Sequence, residues 1–195
     1  LRTSPVKNEI ALDYDFGKFL GYYLAEGYAS SRHNDNTFNS IIFTFGAKED
    51  NFIQDVVEIT QRIFGVTPKV NKNLNDNSAR ISVNSVLIAE MINDLVGTGY
   101  NKKVLNDTLF NACDEFVRGL FVGAFRGDGC TYESRMIMDL VNPVLIRQLR
   151  TLAINIGLVP GIRDYTNQAG NHTTSLFLNA VNPSNHDMIY EIGKN

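Results

Sequence analysis

The sequence predicts an α+β fold built from two copies of one unit, each running α-β-β-α-β-β-α. Three observations lead there. Two apolar helices, "FLGYYLAEG" (19–27) and "EFVRGLFVGAFRGDG" (115–129), both stop on an acid followed by glycine. Each is followed by a β-prone hairpin, an amphipathic helix, a second hairpin and a further helix. Small residues recur at four-residue spacing in both acid-ended helices, at Gly21 and Ala25 and again at Gly119, Gly123 and Gly127. An order of elements that runs twice is the signature of internal duplication, here a pseudo-twofold one.

Residues 1–14 read as a polar, irregular segment. Asp15 is read as a helix N-cap, with Phe16, Phe19, Leu20, Tyr23 and Leu24 at helical spacing and Gly27 as the stop. In "YASSRHNDNTFNSIIFTFGA" (28–47) an Asn/Asp/Ser centre joins two β-prone runs. "KEDNFIQDVVEITQRIFG" (48–65) puts Phe52, Ile53, Val56, Ile59, Ile63 and Phe64 on one helical face. The hairpin "TPKVNKNLNDNSARISVN" (67–84) and the helix "SVLIAEMINDLVG" (85–97) complete a first repeat over 15–97. A linker, 98–113, leads to the second repeat, 114–195, whose helix opens at Asp114. There follow the hairpin "CTYESRMIMDLVN", the helix "PVLIRQLRTLAINIG" with Pro143 in its first turn, the hairpin "VPGIRDYTNQAGNHTTSLFLNAV" and a short helix over "SNHDMIYEIGKN".

The 195 residues suit one sizeable domain or two small ones fused over a shared core, and 44% hydrophobic with 20% charged residues is an ordinary globular composition. No run of eighteen apolar residues is present, so no membrane partner is expected. Cys113 and Cys130 stand in no metal-ligand spacing, which points to a reducing, intracellular setting, cytoplasmic or organellar. A net charge of −3 argues mildly against a nucleic-acid partner. The charge is segregated, however: the helices are acidic, while segment 67–85 carries Lys69, Lys72 and Arg80 against Asp76 alone.

The acid-ended helices carry the chemistry. Glycine inside a helix costs roughly 1 kcal/mol against alanine, and small residues four apart let two helix backbones approach closely. Gly21, Ala25, Gly123 and Gly127 are therefore read as the interface between the two helices. Parallel packing would bring Glu26 and Asp128 together, where they repel each other and the negative ends of both helix dipoles. A divalent cation resolves that conflict. Hard oxygen ligands, few of them from protein, suit Mg2+ and the in-line attack of water on a phosphodiester. Taken singly, either acid-glycine pair reads as a plain helix C-cap; the duplication is what favours a site.

"LGYYLAEG" and "FVGAFRGDG" resemble the two motifs of LAGLIDADG homing endonucleases in their single-chain form, intein- or intron-encoded, and the order of elements matches the family's repeat from about residue 15 onward. The resemblance implies two central motif helices and two saddle-forming antiparallel sheets lying in the major groove of double-stranded DNA. It implies a site-specific double-strand break in a long target, with four-base 3′ overhangs. Glu26 and Asp128 would be the metal ligands, holding two or three Mg2+ ions, with Ca2+ supporting binding without cleavage. A monomer is implied, with a host intein or intron RNA as a further partner. A non-catalytic descendant, an RNA maturase or a DNA-binding regulator, is the alternative; it is the retention of both acids that discriminates against it.

Such enzymes carry a basic residue near the metal, and "FGAKEDNFI" makes Lys48 the candidate; its counterpart in the second repeat is Val141. Arg126, inside the second motif, either contacts phosphate or points to solvent. Arg32, Lys69, Lys72, Arg80, Arg135 and Arg163, spread over the four hairpins, are the candidate DNA contacts. Each alone reads equally as a solubilising charge.

Overall fold

Helix α1 (Tyr14–Glu26) starts at Asp13, not Asp15: the Asp13 carboxylate accepts the Phe16 amide at 3.0 Å, while Asp15, one turn in, binds Arg62 at 2.7 Å. The motif thus begins two residues earlier than its hydrophobic spacing suggests. A computed structural model of the chain describes residues 7, 9–31, 37–166 and 170–193.

After α1 come β1 (Gly27–Ser31), β2 (Phe38–Gly46), α2 (Asp50–Phe64), β3 (Lys69–Asn73), β4 (Ser78–Val83) and α3 (Val86–Val96). A linker containing a single 3-10 turn (Asp107–Asn111) leads to α4 (Asp114–Asp128). Then follow β5 (Gly129–Tyr132), β6 (Arg135–Leu140), α5 (Pro143–Asn155), β7 (Pro160–Thr166), β8 (His172–Asn179), a 3-10 turn (Pro183–Asn185) and α6 (His186–Gly193). The strands form two four-stranded antiparallel sheets, ordered β1-β2-β4-β3 and β5-β6-β8-β7. One topology therefore occurs twice.

Strand alternation decides which face each sheet buries. Ile41, Phe43, Phe45, Ala79, Ile81 and Val83 of the first sheet, and Met136, Met138, Leu176 and Leu178 of the second, enter one continuous core with the helices. Phe19 of α1 packs edge-on against Phe43 at 5.3 Å and Phe64 at 5.2 Å, tying sheet, α2 and motif helix together.

At the centre α1 and α4 run parallel with their backbones in contact. A Cβ added at Gly21 would lie 2.2 Å from the Leu120 carbonyl, and one at Gly123 the same distance from the Lys18 carbonyl. Gly119 faces the Tyr14 carbonyl, and Gly127 faces Ala25. Gly17, four residues before Gly21, belongs to the same seam and abuts the Phe116 carbonyl.

Beside the seam a part-buried polar cluster joins four helices. Asp55 of α2 accepts the Tyr22 hydroxyl at 2.8 Å and lies 2.5 Å from the Lys18 amine and 3.5 Å from Arg126. Arg126 also donates to the carbonyls of Ile192 and Glu191 in α6. It neither faces solvent nor awaits phosphate; it is a tie between repeats.

The seam makes a sharp prediction. Gly123→Ala, adding a single methyl, should destabilise the protein by about 1–3 kcal/mol through overpacking against backbone that has nowhere to go. Gly193→Ala, where a Cβ meets nothing within 4 Å, should be neutral. Urea unfolding of both variants checks this, and equal midpoints would show that the helices can part freely.

Candidate active site and nucleic-acid face

Both motif helices pass into a strand with no intervening loop. The amide of Gly27 donates to the Tyr23 carbonyl and that of Gly129 to Phe125, and each chain then extends directly into β1 or β5. A Cβ at Gly129 would lie 2.2 Å from the Phe125 carbonyl, and one at Gly27 within 2.7 Å of the Tyr23 backbone. The glycine after each acid is thus what allows so abrupt an exit, and the acid is left as the last helical residue.

Since α1 and α4 are parallel and in register, Glu26 and Asp128 arrive at the same end. The Cγ of Glu26 is 3.3 Å from where a Cβ on Gly127 would stand. Both acids line a cleft of about 410 Å³ together with Tyr28, Lys103, Asp139 and Val141. Burial pushes the Asp128 carboxyl up to about 6, with Lys103 opposing. Burial, then repulsion from Asp128 and Glu49, pushes Glu26 up to about 7, again against Lys103. Asp128 ionises first, while Glu26 is still neutral, so Glu26 is the one that feels its partner's charge.

Lys103 is the basic residue of the cleft. Its amine donates to the carbonyls of Tyr23 and Leu24, both at 2.7 Å, and lies 5.0 Å from the centre of the Tyr23 ring. These are orphan carbonyls at the C-terminus of α1, where a cation also offsets the dipole. Burial lowers the Lys103 amine to about 8 although Asp128 and Glu26 both favour its charge. Its own carbonyl accepts the Asn142 side-chain amide at 2.7 Å, and Gln148 clasps both backbone groups of the neighbouring Leu105. Lys48, the candidate from sequence, is exposed in the turn between β2 and α2 and does not line the cleft; from that turn it is Glu49 that acts on Glu26. Nothing periodic marks Lys103 in the sequence, where it follows Lys102 in an unpatterned linker.

Among the described residues no group of three or more His, Cys, Asp and Glu side chains could hold a metal ion. The donor set is two carboxylates that burial and mutual repulsion keep partly protonated. That fits a hard cation completing its shell with water and ligand oxygens, and does not fit an all-protein cage.

The candidate DNA contacts divide by register. Arg80 is opposite Thr44 on one side and Asn71 on the other, and Lys69 is opposite Ser82, so these side chains share the face turned away from the helices. Lys72 pairs with Ala79, a core residue, and therefore falls on the helix side of the sheet, where it is ion-paired with Asp50 of α2. One residue of strand register separates it from the face expected of it. Arg135 and Arg163 lie on the outward face of the second sheet, over the rings of Phe177 at 5.6 Å and Tyr165 at 6.0 Å. Arg32 lies outside the described residues.

The architecture has known counterparts. The homing endonuclease I-DmoI superposes with a TM-score of 0.70 at 12% identity, over 93% of this chain and 96% of its own. This chain has the single-chain LAGLIDADG fold. The homing endonuclease I-WcaI bound to its DNA recognition sequence gives 0.60 at 14% identity, over 98% and 89% of the two chains. The N-terminal LAGLIDADG domain of DUF199/WhiA gives 0.51 at 12% identity, over 95% and 85%. I-DmoI has been captured with DNA and Mn, with DNA and Ca, and with its target DNA in the presence of Mg.

No family model matches the chain. Among curated proteins, the DNA-directed RNA polymerase subunit Rpo1C of Methanocaldococcus jannaschii is 33% identical over 73% of this LAGLIDADG-fold chain. A DNA polymerase of Thermococcus aggregans is 31% identical over 76%, and an iron-sulfur cluster assembly SufBD family protein of Mycobacterium tuberculosis 30% over 66%. The chain spans 16%, 8% and 15% of those three proteins. Among the described residues no helix is long and apolar enough to cross a membrane.

The cleft acids set a pH dependence in the metal-free protein. Both carboxyls hold their protons more tightly folded than unfolded, so the stability they confer is complete below about pH 4 and is lost as pH rises through 6 to 7. Lys103, depressed to about 8, acts between 8 and 10.5, outside that window. The melting temperature in EDTA should therefore fall more between pH 5 and 7.5 for the parent than for a Glu26→Gln, Asp128→Asn double variant. Parallel slopes for the two proteins would remove the repulsion from the argument.

Proposed function

We propose that this chain is a site-specific homing endonuclease, acting as a monomer, that makes a Mg2+-dependent double-strand break in a long duplex target and leaves four-base 3′ overhangs. The observation that carries this reading is the convergence of Glu26 and Asp128, one from each repeat, in a single cleft beside Lys103. Both motif helices belong to one chain, so the cleft needs no second copy. The outward faces of the two sheets, with Lys69 and Arg80 on one and Arg135 and Arg163 on the other, are the DNA-binding surfaces in this reading. A divalent cation held by the two acids would supply charge neutralisation at the phosphodiester and a water of lowered pKa. Lys103, taking the role that Lys48 was expected to fill, donates to α1 through two of its three N–H groups and keeps one to steady charge developing on a phosphate oxygen.

The relatives support a mobile origin. An RNA polymerase subunit, a DNA polymerase and a SufBD family protein have no common task, yet each shares with this chain a segment that is a small fraction of its length. A module carried inside unrelated hosts, as an intein is, gives that pattern. The likeness to the DUF199/WhiA domain favours a second reading, a LAGLIDADG-fold DNA binder without cleavage.

Mutation separates these readings. Glu26→Gln and Asp128→Asn should each abolish cleavage of the selected target, by at least about 10²-fold, while binding in Ca2+ holds or tightens because repulsion is relieved. A protein that binds DNA tightly but never cuts it in Mg2+ or Mn2+ would establish the non-catalytic reading instead.

The two lysines are told apart in the same assay. Lys103→Met should slow cleavage by about 10²–10³-fold, whereas Lys48→Met should cut at near the parent rate. The reverse order would return the catalytic role to Lys48.

A further inference from the structure

The two outward sheet faces share one register but not one chemistry. Gly27 pairs with Phe43 and Gly129 with Met138, so the next residues along, Thr44 and Asp139, occupy matching places. Across the first sheet the row reads Thr44, Arg80, Asn71; across the second it reads Asp139, Ser175, Arg163. An exposed carboxylate is anomalous on a surface meant to meet phosphates. It does not serve the cations of that face: among the described residues no ion pair joins Asp139 to Arg135 or Arg163, which lie over aromatic rings instead.

Donors from its own face hold it. The Ser175 hydroxyl donates to Oδ1 of Asp139, and the Tyr165 hydroxyl to Oδ2 at 3.0 Å. A carboxylate has about four acceptor positions, so two donors fix its plane and leave acceptor capacity facing outward. Asp139 also lines the cleft of Glu26 and Asp128, which puts it at the inner end of its sheet.

We propose that Asp139 reads a base, selecting cytosine at the innermost major-groove position of the half-site bound by the second sheet; this rests on the DNA-binding reading above. Cytosine offers its N4 amino group as a donor in the major groove, and a carboxylate is its natural acceptor. Guanine and thymine present acceptors there and repel the carboxylate, and adenine places the N7 acceptor beside its donor. Arg163, two strands away in the same row, matches guanine. The Thr44 row of the first sheet has no carboxylate, so the two halves of the target are not inverted repeats.

Selection of bound duplexes from a randomised library in Ca2+ tests this, with parent, Asp139→Asn and Ser175→Ala run side by side. The parent should enrich cytosine at one position flanking the centre by at least roughly tenfold over other bases. Asp139→Asn keeps the acceptor for one donor and the shape of the side chain. It should lose cytosine at that position or exchange it for adenine, with other positions and the melting temperature unchanged. Ser175→Ala should broaden the same position only. A parent that prefers sequences but not cytosine there overturns the proposal and leaves DNA binding intact; a parent that enriches no sequence overturns both. An Asp139→Asn protein with an unchanged base preference also overturns it. If that protein loses its response to Ca2+, Asp139 is a third cation ligand, and if it melts lower, a structural prop.

Discussion

Two helices touching backbone to backbone set the terms for the rest of this molecule. Gly17 and Gly21 on α1 and Gly119 and Gly123 on α4 leave no side chain between the helices, and carbonyls of each helix sit where the other's Cβ atoms would be. Such a seam fixes the axial register of the pair as well as its distance, because sliding either helix would push backbone into backbone. Each glycine forgoes about 1 kcal/mol of helix propensity. The aromatic residues on the flanks of the seam, Phe16, Phe19, Phe116 and Phe121 among them, are fully buried against their own repeats and offset that loss. The two sheets follow, since each motif helix runs straight into the first strand of its sheet.

The same register imposes an electrostatic cost. Two carboxylates end parallel helices at the ends where carbonyl oxygens already concentrate negative charge. Lys103 answers on the α1 side by binding two of those carbonyls directly, and its buried amine stays close to both acids. Elsewhere along the seam Asp55 gathers Lys18, Arg126 and Tyr22, so that charged groups forced inward by the close helix approach have partners. Buried charges of this kind cost more when a partner is removed than the pair contributes when intact. The cleft acids differ from that cluster, for they are left short of positive charge. A site meant only to hold the fold together would have no reason to keep that imbalance.

Much of this was legible in the chain. The duplication, the two sheets, the glycine seam and the pair Glu26 and Asp128 all follow from periodicity and from the coincidence of two acid-glycine endings. What escaped did so for physical reasons. Lys103 lies in a linker whose conformation is set by tertiary contacts, through Asn142 and Gln148, and such contacts leave no periodic trace. Lys72 was assigned to the wrong face because strand register inverts with a single residue, and Asn-rich hairpins give few apolar marks to fix it. Arg126 has a counter-ion on another helix, which no local pattern shows. Asp139 went unremarked since its meaning depends on Ser175 and Tyr165, brought beside it only by pairing across β8 and β7.

The clasp of the linker by α5 has a consequence for how such a chain could be recombined. Although Lys103 lies before the second motif, its backbone is held by Asn142 and its neighbour Leu105 by Gln148, while its amine serves the first helix. The segment is thus a shared hinge-pin, docked on one repeat and acting on the other. A chimera that exchanged whole repeats between relatives, cutting at the linker as sequence would suggest, would keep both carboxylates and the glycine seam and still leave the lysine unmoored. Half-for-half swapping on this scaffold works as a modular operation only when the linker and the N-terminal turn of α5 travel together.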